Sequence, residues 1–151
     1  MRDGRVIGSV VMVFLVASLS IIAPGCVKEK ASSETVGTWY TSYDEALNLS
    51  AESGKPVMIY FWADWCPVCT NYSHETLSDP VVVKTLGEDF VLLSIDLDNN
   101  EQKGVAGMYG VRYPPATVFV DSNGNVLMGW YGYVPPEMLI PILHNVSAME
   151  T

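Results

Sequence analysis

The stretch Val57–Thr70, "VMIYFWADWCPVCT", runs from an apolar and aromatic segment straight into two cysteines three positions apart. The run "VMIYFWA" reads as a short buried central strand. Pro67, directly after Cys66, suits the first position of a helix, where the N–H would be unpaired anyway. The segment therefore predicts a strand that hands over to a helix at Cys66, the helix continuing to about Leu77.

Four chemistries compete for such a cysteine pair. A c-type haem anchor needs His directly after the second cysteine, and Thr70 stands there. A structural zinc site needs four ligands, and the only further candidates are His74 and His144, with no second cysteine pair. A two- or three-ligand Cu(I) site drawn from Cys66, Cys69 and His74 stays open as an alternative, because soft thiolates select that ion. A purely structural disulfide closing so short a loop would stabilise little. A dithiol/disulfide redox centre fits best. Cys66 at a helix N-terminus faces unpaired amides and the positive end of the helix dipole, which favour thiolate over thiol. Cys69, one turn in, can attack a mixed disulfide made by Cys66 and complete the exchange without any added base.

Working outward, Ser42-Tyr43-Asp44-Glu45 has the form of a capping box and opens a helix that ends before Gly54. Asp79-Pro80 restarts a helix to Gly87, and "FVLLSID" from Phe90 is a second buried strand. A helix is expected from about Asn100 to Tyr109. "ATVFVD" and "VLMGWYG" flank Asn123-Gly124, a strong hairpin signal. A last helix from Pro136 to about Asn145 is expected to bend or break at Pro141. Alternating strands and helices closed by an antiparallel pair imply an α/β fold with a mixed central sheet covered by helices on both faces.

The chain has 151 residues, 49% hydrophobic, with a net charge of −9, enough for one domain with its own core. The acidic balance and the scattered Lys28, Lys30, Lys55, Lys84, Lys103 and Arg112 argue against nucleic-acid binding. The N-terminus differs. Arg2 and Arg5 precede the uncharged run Val6–Ala23, followed by Pro24-Gly25-Cys26. Residues 1–26 read as a secretory or lipoprotein signal with Cys26 as the lipidated residue, or as an uncleaved membrane helix. Each reading places the domain outside the cytoplasm, and the favoured ones anchor it to a membrane. Residues 27–37, "VKEKASSETVG", read as a flexible tether, and 38–151 as the domain.

The combination of "YFWADWCPVC" with "VRYPPATVFVDSNGN" further on resembles the thioredoxin superfamily, most closely the C-terminal thioredoxin-like domain of DsbD and related thioredoxin-like lipoproteins. The resemblance covers about Trp39 to Asn145. It implies a thioredoxin-like fold and a thiol–disulfide oxidoreductase with no cofactor beyond a redox-active Cys66–Cys69 disulfide. The enzyme would act as a monomer on protein dithiol and disulfide partners, in the reductive direction. It also implies that Cys66 is the exposed nucleophile and Cys69 the resolving thiol. Trp65 would shield the pair, and Trp65, Pro67, Val68, Pro114 and Pro115 would form the substrate-docking face, with Pro115 as the cis-proline.

Three positions depart from that pattern. Tyr60 stands where the family has a buried carboxylate that relays the proton of the resolving thiol, and Asn71 where the DsbD-like domain is acidic. Slow or pH-sensitive resolution is expected, with His74 and Glu75 the nearest substitutes. Val68 offers the thiolate no polar contact, which predicts a redox potential between strong oxidant and strong reductant. Pro114 lacks the N–H that could bind a substrate segment, which narrows the partner set.

Overall fold

Each apolar run becomes a strand: β2 (Val57–Trp62), β3 (Val91–Asp96), β4 (Ala116–Val120) and β5 (Val126–Tyr131), preceded by a two-residue β1 (Trp39–Tyr40). The computed structural model describes residues 37–149. The signal or anchor at 1–26, lipidation of Cys26 and all but the last residue of the tether 27–37 lie outside the described residues. The strands lie in the order β1-β3-β2-β4-β5. β1, β3 and β2 run parallel, while β4 and β5 are antiparallel to their neighbours. The sheet is mixed, as the alternation of elements requires.

Helices α1 (Tyr43–Ser53), α2 (Pro67–Asn71), α3 (Pro80–Asp89), α4 (Lys103–Met108) and α5 (Pro136–Ser147) connect the strands. Successive side chains of a strand point to opposite faces, and the core divides accordingly. Ile59, Phe61, Leu93 and Ile95 pack with Ala46 of α1 and Ala106 of α4. Met58, Leu92 and Phe119 pack with Val82 and Leu86 of α3 and Leu139 and Leu143 of α5.

The helix starts follow local chemistry. Ser42 Oγ accepts the Glu45 N–H at 3.4 Å, and Asp79 Oδ1 accepts those of Val81 and Val82 at 2.9 and 3.1 Å. Such caps satisfy N–H groups that a helix leaves unpaired. Three expectations need correction. The helix expected from Asn100 starts at Lys103, because the Asn99 carbonyl and side chain hold residues 99–102 as a turn. The last helix is not interrupted at Pro141 but continues to Ser147. The carbonyl left without a donor there belongs to exposed Glu137, where water can reach it, while Leu139, Leu143 and Val146 stay buried. The segment after α2 is helical but widens into a π turn at Tyr72–Thr76.

The hairpin turns at Asn123-Gly124. Gly124 has φ +81°, and a Cβ there would lie 2.7 Å from the Tyr43 hydroxyl. Tyr109 donates its O–H to the Gly124 carbonyl at 3.2 Å, so Tyr43 donates to Tyr109 across 2.6 Å. This relay ties α1 and the end of α4 to the hairpin. Gly124→Ala is expected to lose about 1–2 kcal/mol from left-handed strain, seen as a lower urea midpoint with an unchanged slope. An unchanged midpoint would mean that the tyrosine pair yields freely.

Candidate functional site

β2 ends at Trp62, and the chain turns through Ala63–Trp65, the Cys66 N–H bonding the Ala63 carbonyl at 3.1 Å. Cys66 is the N-cap of α2, in extended backbone, with Pro67 at the first helical position. In this position its sulfur accepts the backbone N–H of Cys69 at 3.1 Å. Cysteine here occupies the role in which Ser or Asp usually caps a helix, so the first-turn amide of Cys69 is shared between the Cys66 sulfur and the Cys66 carbonyl, also at 3.1 Å. Cys66 and Cys69 are joined by a disulfide of 2.11 Å, with Cα atoms 5.2 Å apart.

The nucleophile was expected to be exposed. Instead Cys66 is only 4% and Cys69 3% exposed. The capping geometry folds the Cys66 side chain back over the helix. There both sulfurs pack with Tyr60, Ala63 and Tyr72, while Trp39, Trp62, Leu77, Leu97 and Val134 close the cluster. Only a small part of Cys66 is thus offered to a partner.

Tyr60, on β2, lies under this cluster. Its hydroxyl donates to the Cys69 carbonyl at 3.2 Å and stands 3.4 Å from Ser73 Oγ. Burial pushes its pKa up, opposed by the Ser73 contact. Tyr72, wholly buried, is also raised, first by burial and further by Tyr60 and Tyr133, while Thr117 beside it pulls the other way. The rings form a row in edge contact, Tyr60 to Tyr72 at 5.6 Å and Tyr72 to Tyr133 at 5.8 Å. Both phenols stay neutral near pH 7.

The other expected site residues lie on the turn before Cys66, on the first turn of α2 and just before β4. Trp65 is 65% exposed, with its indole N–H donating to Asp98 Oδ1 at 3.1 Å. Most of the ring thus faces solvent. Pro67 and Val68 are exposed on the first turn of α2. The Pro114–Pro115 peptide bond is cis, with Pro115 buried and Pro114 half-buried. Because Phe61 pairs with Ala116, this bond lies at the same end of the sheet as the turn into Cys66. Tyr113 stacks on Tyr131 at 4.4 Å beside it.

The two proposed substitutes for the missing carboxylate are placed elsewhere. His74 is exposed, and Glu75 accepts the Tyr133 hydroxyl at 2.9 Å. Among the described residues no three His, Cys, Asp or Glu side chains are grouped as a metal site, so His74 is not brought to the sulfurs as the third donor of a Cu(I) centre.

Three residues of the site escaped the sequence. Tyr72 had a usable signal, lying three residues after Cys69 on the same helical face. Ser73 and Asp98 had none, since their partners come from other elements.

The family description "Thioredoxin-like domain" matches residues 43–147. The chain is 37% identical over 84 residues to a thiol:disulfide interchange protein DsbD of Ralstonia nicotianae, 54% of this chain and 14% of that one. It is 32% identical over 122 residues to DsbD of Salmonella paratyphi A, 75% of this chain and 21% of that one. It thus spans only 14% and 21% of the length of these two relatives. Among solved structures, a thioredoxin from Thermus thermophilus superposes with a TM-score of 0.69 at 32% identity, over 76% of this chain and 90% of that one. The oxidised C-terminal domain of DsbD from Neisseria meningitidis superposes with a TM-score of 0.62 at 23% identity, over 72% and 99%, a likeness of fold.

Proposed function

The chain belongs to the thioredoxin-like family, and from that premise we propose that it is a membrane-tethered thiol–disulfide oxidoreductase that reduces partner proteins outside the cytoplasm. The observation that carries the reading is the Cys69 amide aimed at the Cys66 sulfur within a bonded Cys66–Cys69 pair. When the pair is reduced, that amide and the aligned peptides behind it stabilise a Cys66 thiolate. The thiolate attacks one sulfur of a partner disulfide, the partner's other sulfur leaves as thiolate, and Cys69 then displaces the first from Cys66. The two electrons reside in the sulfurs themselves, and no bound cofactor is needed.

The docking face comprises Trp65, Pro67, Val68, Pro114 and Pro115, with the chain acting as a monomer. Similarity to proteins named for thiol:disulfide interchange supports exchange with the thiols and disulfides of a partner. Anchoring rests on Arg2, Arg5, the apolar run Val6–Ala23 and Cys26. Among the described residues no helix is long and apolar enough to cross a membrane.

The test uses the full chain expressed in a bacterium. It should sediment with membranes through an alkaline wash, and the reduced, detergent-solubilised protein should accelerate insulin disulfide reduction. Loss of membrane association in Cys26→Ser would identify lipidation, and its retention an uncleaved helix. Absence of insulin reduction would remove the enzymatic reading.

A further inference from the structure

Before Cys69 can attack, its thiol must ionise, and it sits where burial disfavours the thiolate. Among the described residues no carboxylate, imidazole, ammonium or guanidinium group is buried. Asp64 on the turn before Cys66 is exposed, as are His74 and Glu75 on the π turn. The titratable groups packed with the sulfurs are Tyr60 from β2 and Tyr72 from the π turn, with Tyr133 behind Tyr72. β4 adds only the neutral Thr117. None of these is a base near pH 7.

A path of hydroxyls nevertheless leads outward. Tyr60 Oη reaches the Cys69 carbonyl on one side and Ser73 Oγ on the other. Tyr60 and Ser73 both line a solvent-open cavity of about 360 Å³, together with Trp39, Trp62, Leu77 and Ser94. With water occupying about 30 Å³ in the liquid, that space holds several molecules. Its three hydroxyls, from Tyr60, Ser73 and Ser94, are set among aromatic walls.

We propose that this cavity is the proton exit of the resolving thiol, with Ser73 positioning, beside the Tyr60 hydroxyl, the water that takes the Cys69 proton. The inference rests on the thiol–disulfide reading and supplies the acceptor that a buried carboxylate would otherwise be. The Cys69 S–H bond breaks and its proton passes to cavity water. The resulting thiolate forms a bond to Cys66 Sγ as the bond between Cys66 and the partner breaks. The electron pair leaves on the partner sulfur, which takes a proton from solvent. The partner gains two electrons, and the Cys66–Cys69 pair loses them.

The test separates the two exchanges. The reduced full chain, carrying Cys26→Ser so that only Cys66 and Cys69 react, is mixed with one equivalent of an aromatic disulfide that releases coloured nitrothiobenzoate. The first release scales with reagent concentration and reports Cys66, whereas the second does not and reports Cys69. Ser73→Ala is expected to slow the second release about three- to tenfold from about pH 6 to 8 while leaving the first unchanged. Ser73→Thr, which keeps a hydroxyl, should restore it, a rescue that loss of packing alone would not produce. Tyr60→Phe should slow the same step. A second release within about twofold of wild type in Ser73→Ala overturns the proposal, since that exposed serine can be removed without unfolding the core. Absence of even the first release would overturn the redox reading and the proposal with it.

Discussion

A Cys69→Ala chain is expected to stop after a single exchange and to remain covalently attached to its partner. The group that favours the Cys66 thiolate is the backbone N–H of residue 69, and alanine keeps that N–H. Cys66 therefore still attacks, but no second sulfur stands within a turn to release the product. The mixed disulfide should appear as a higher band on a non-reducing gel, collapsing on addition of dithiothreitol. Catalytic reduction of insulin should fall by at least about a hundredfold, because the nucleophile is consumed rather than regenerated. Cys66→Ser should lose turnover to the same extent and show no band, since a hydroxyl replaces the attacking thiolate. Equal trapping by the two variants would mean that either sulfur can make first contact and that Cys66 is not the dedicated nucleophile. The truncation at position 69 removes one buried sulfur, a cost of about 1 kcal/mol that a domain of this size tolerates.

The second large effect concerns stability. Phe119 is wholly buried at the middle of β4, with ring centroids 5.3 Å from Phe90 and 5.7 Å from Trp130. Phe119→Ala should lose about 3–5 kcal/mol, the transfer term of the ring plus the cavity it leaves. That is a large share of the roughly 5–15 kcal/mol that holds a domain together, and it should appear as a much lower urea midpoint. Phe119→Leu, which refills most of the space, should lose less than about 2 kcal/mol. In the folded fraction both variants should retain the wild-type rate of Cys66 attack, because Phe119 lies outside the cluster that holds the sulfurs and at a distance along β4 from Pro115. A Phe119→Ala midpoint near wild type would show that Trp130 and Leu139 collapse into the space.

The sequence by itself determined what depends on near neighbours along the chain. The strand-to-helix junction at Cys66, the caps at Ser42 and Asp79, the turn at Gly124 and the strands β2 to β5 are all set by groups within a few residues of one another. Hydrophobic period and hydrogen-bond geometry operate on that scale. The two reacting sulfurs were legible for the same reason, being one helical turn apart. Only the tertiary structure decided the rest. β1 is a strand because β3 offers it an edge at Leu92 and Leu93. α5 runs through Pro141 because burial of its apolar face outweighs one lost hydrogen bond. The burial of Cys66, the Tyr60–Ser73 contact and the hold of Asp98 on Trp65 join residues far apart in the chain. Each depends on which elements the collapsed core brings together, and no local pattern encodes that.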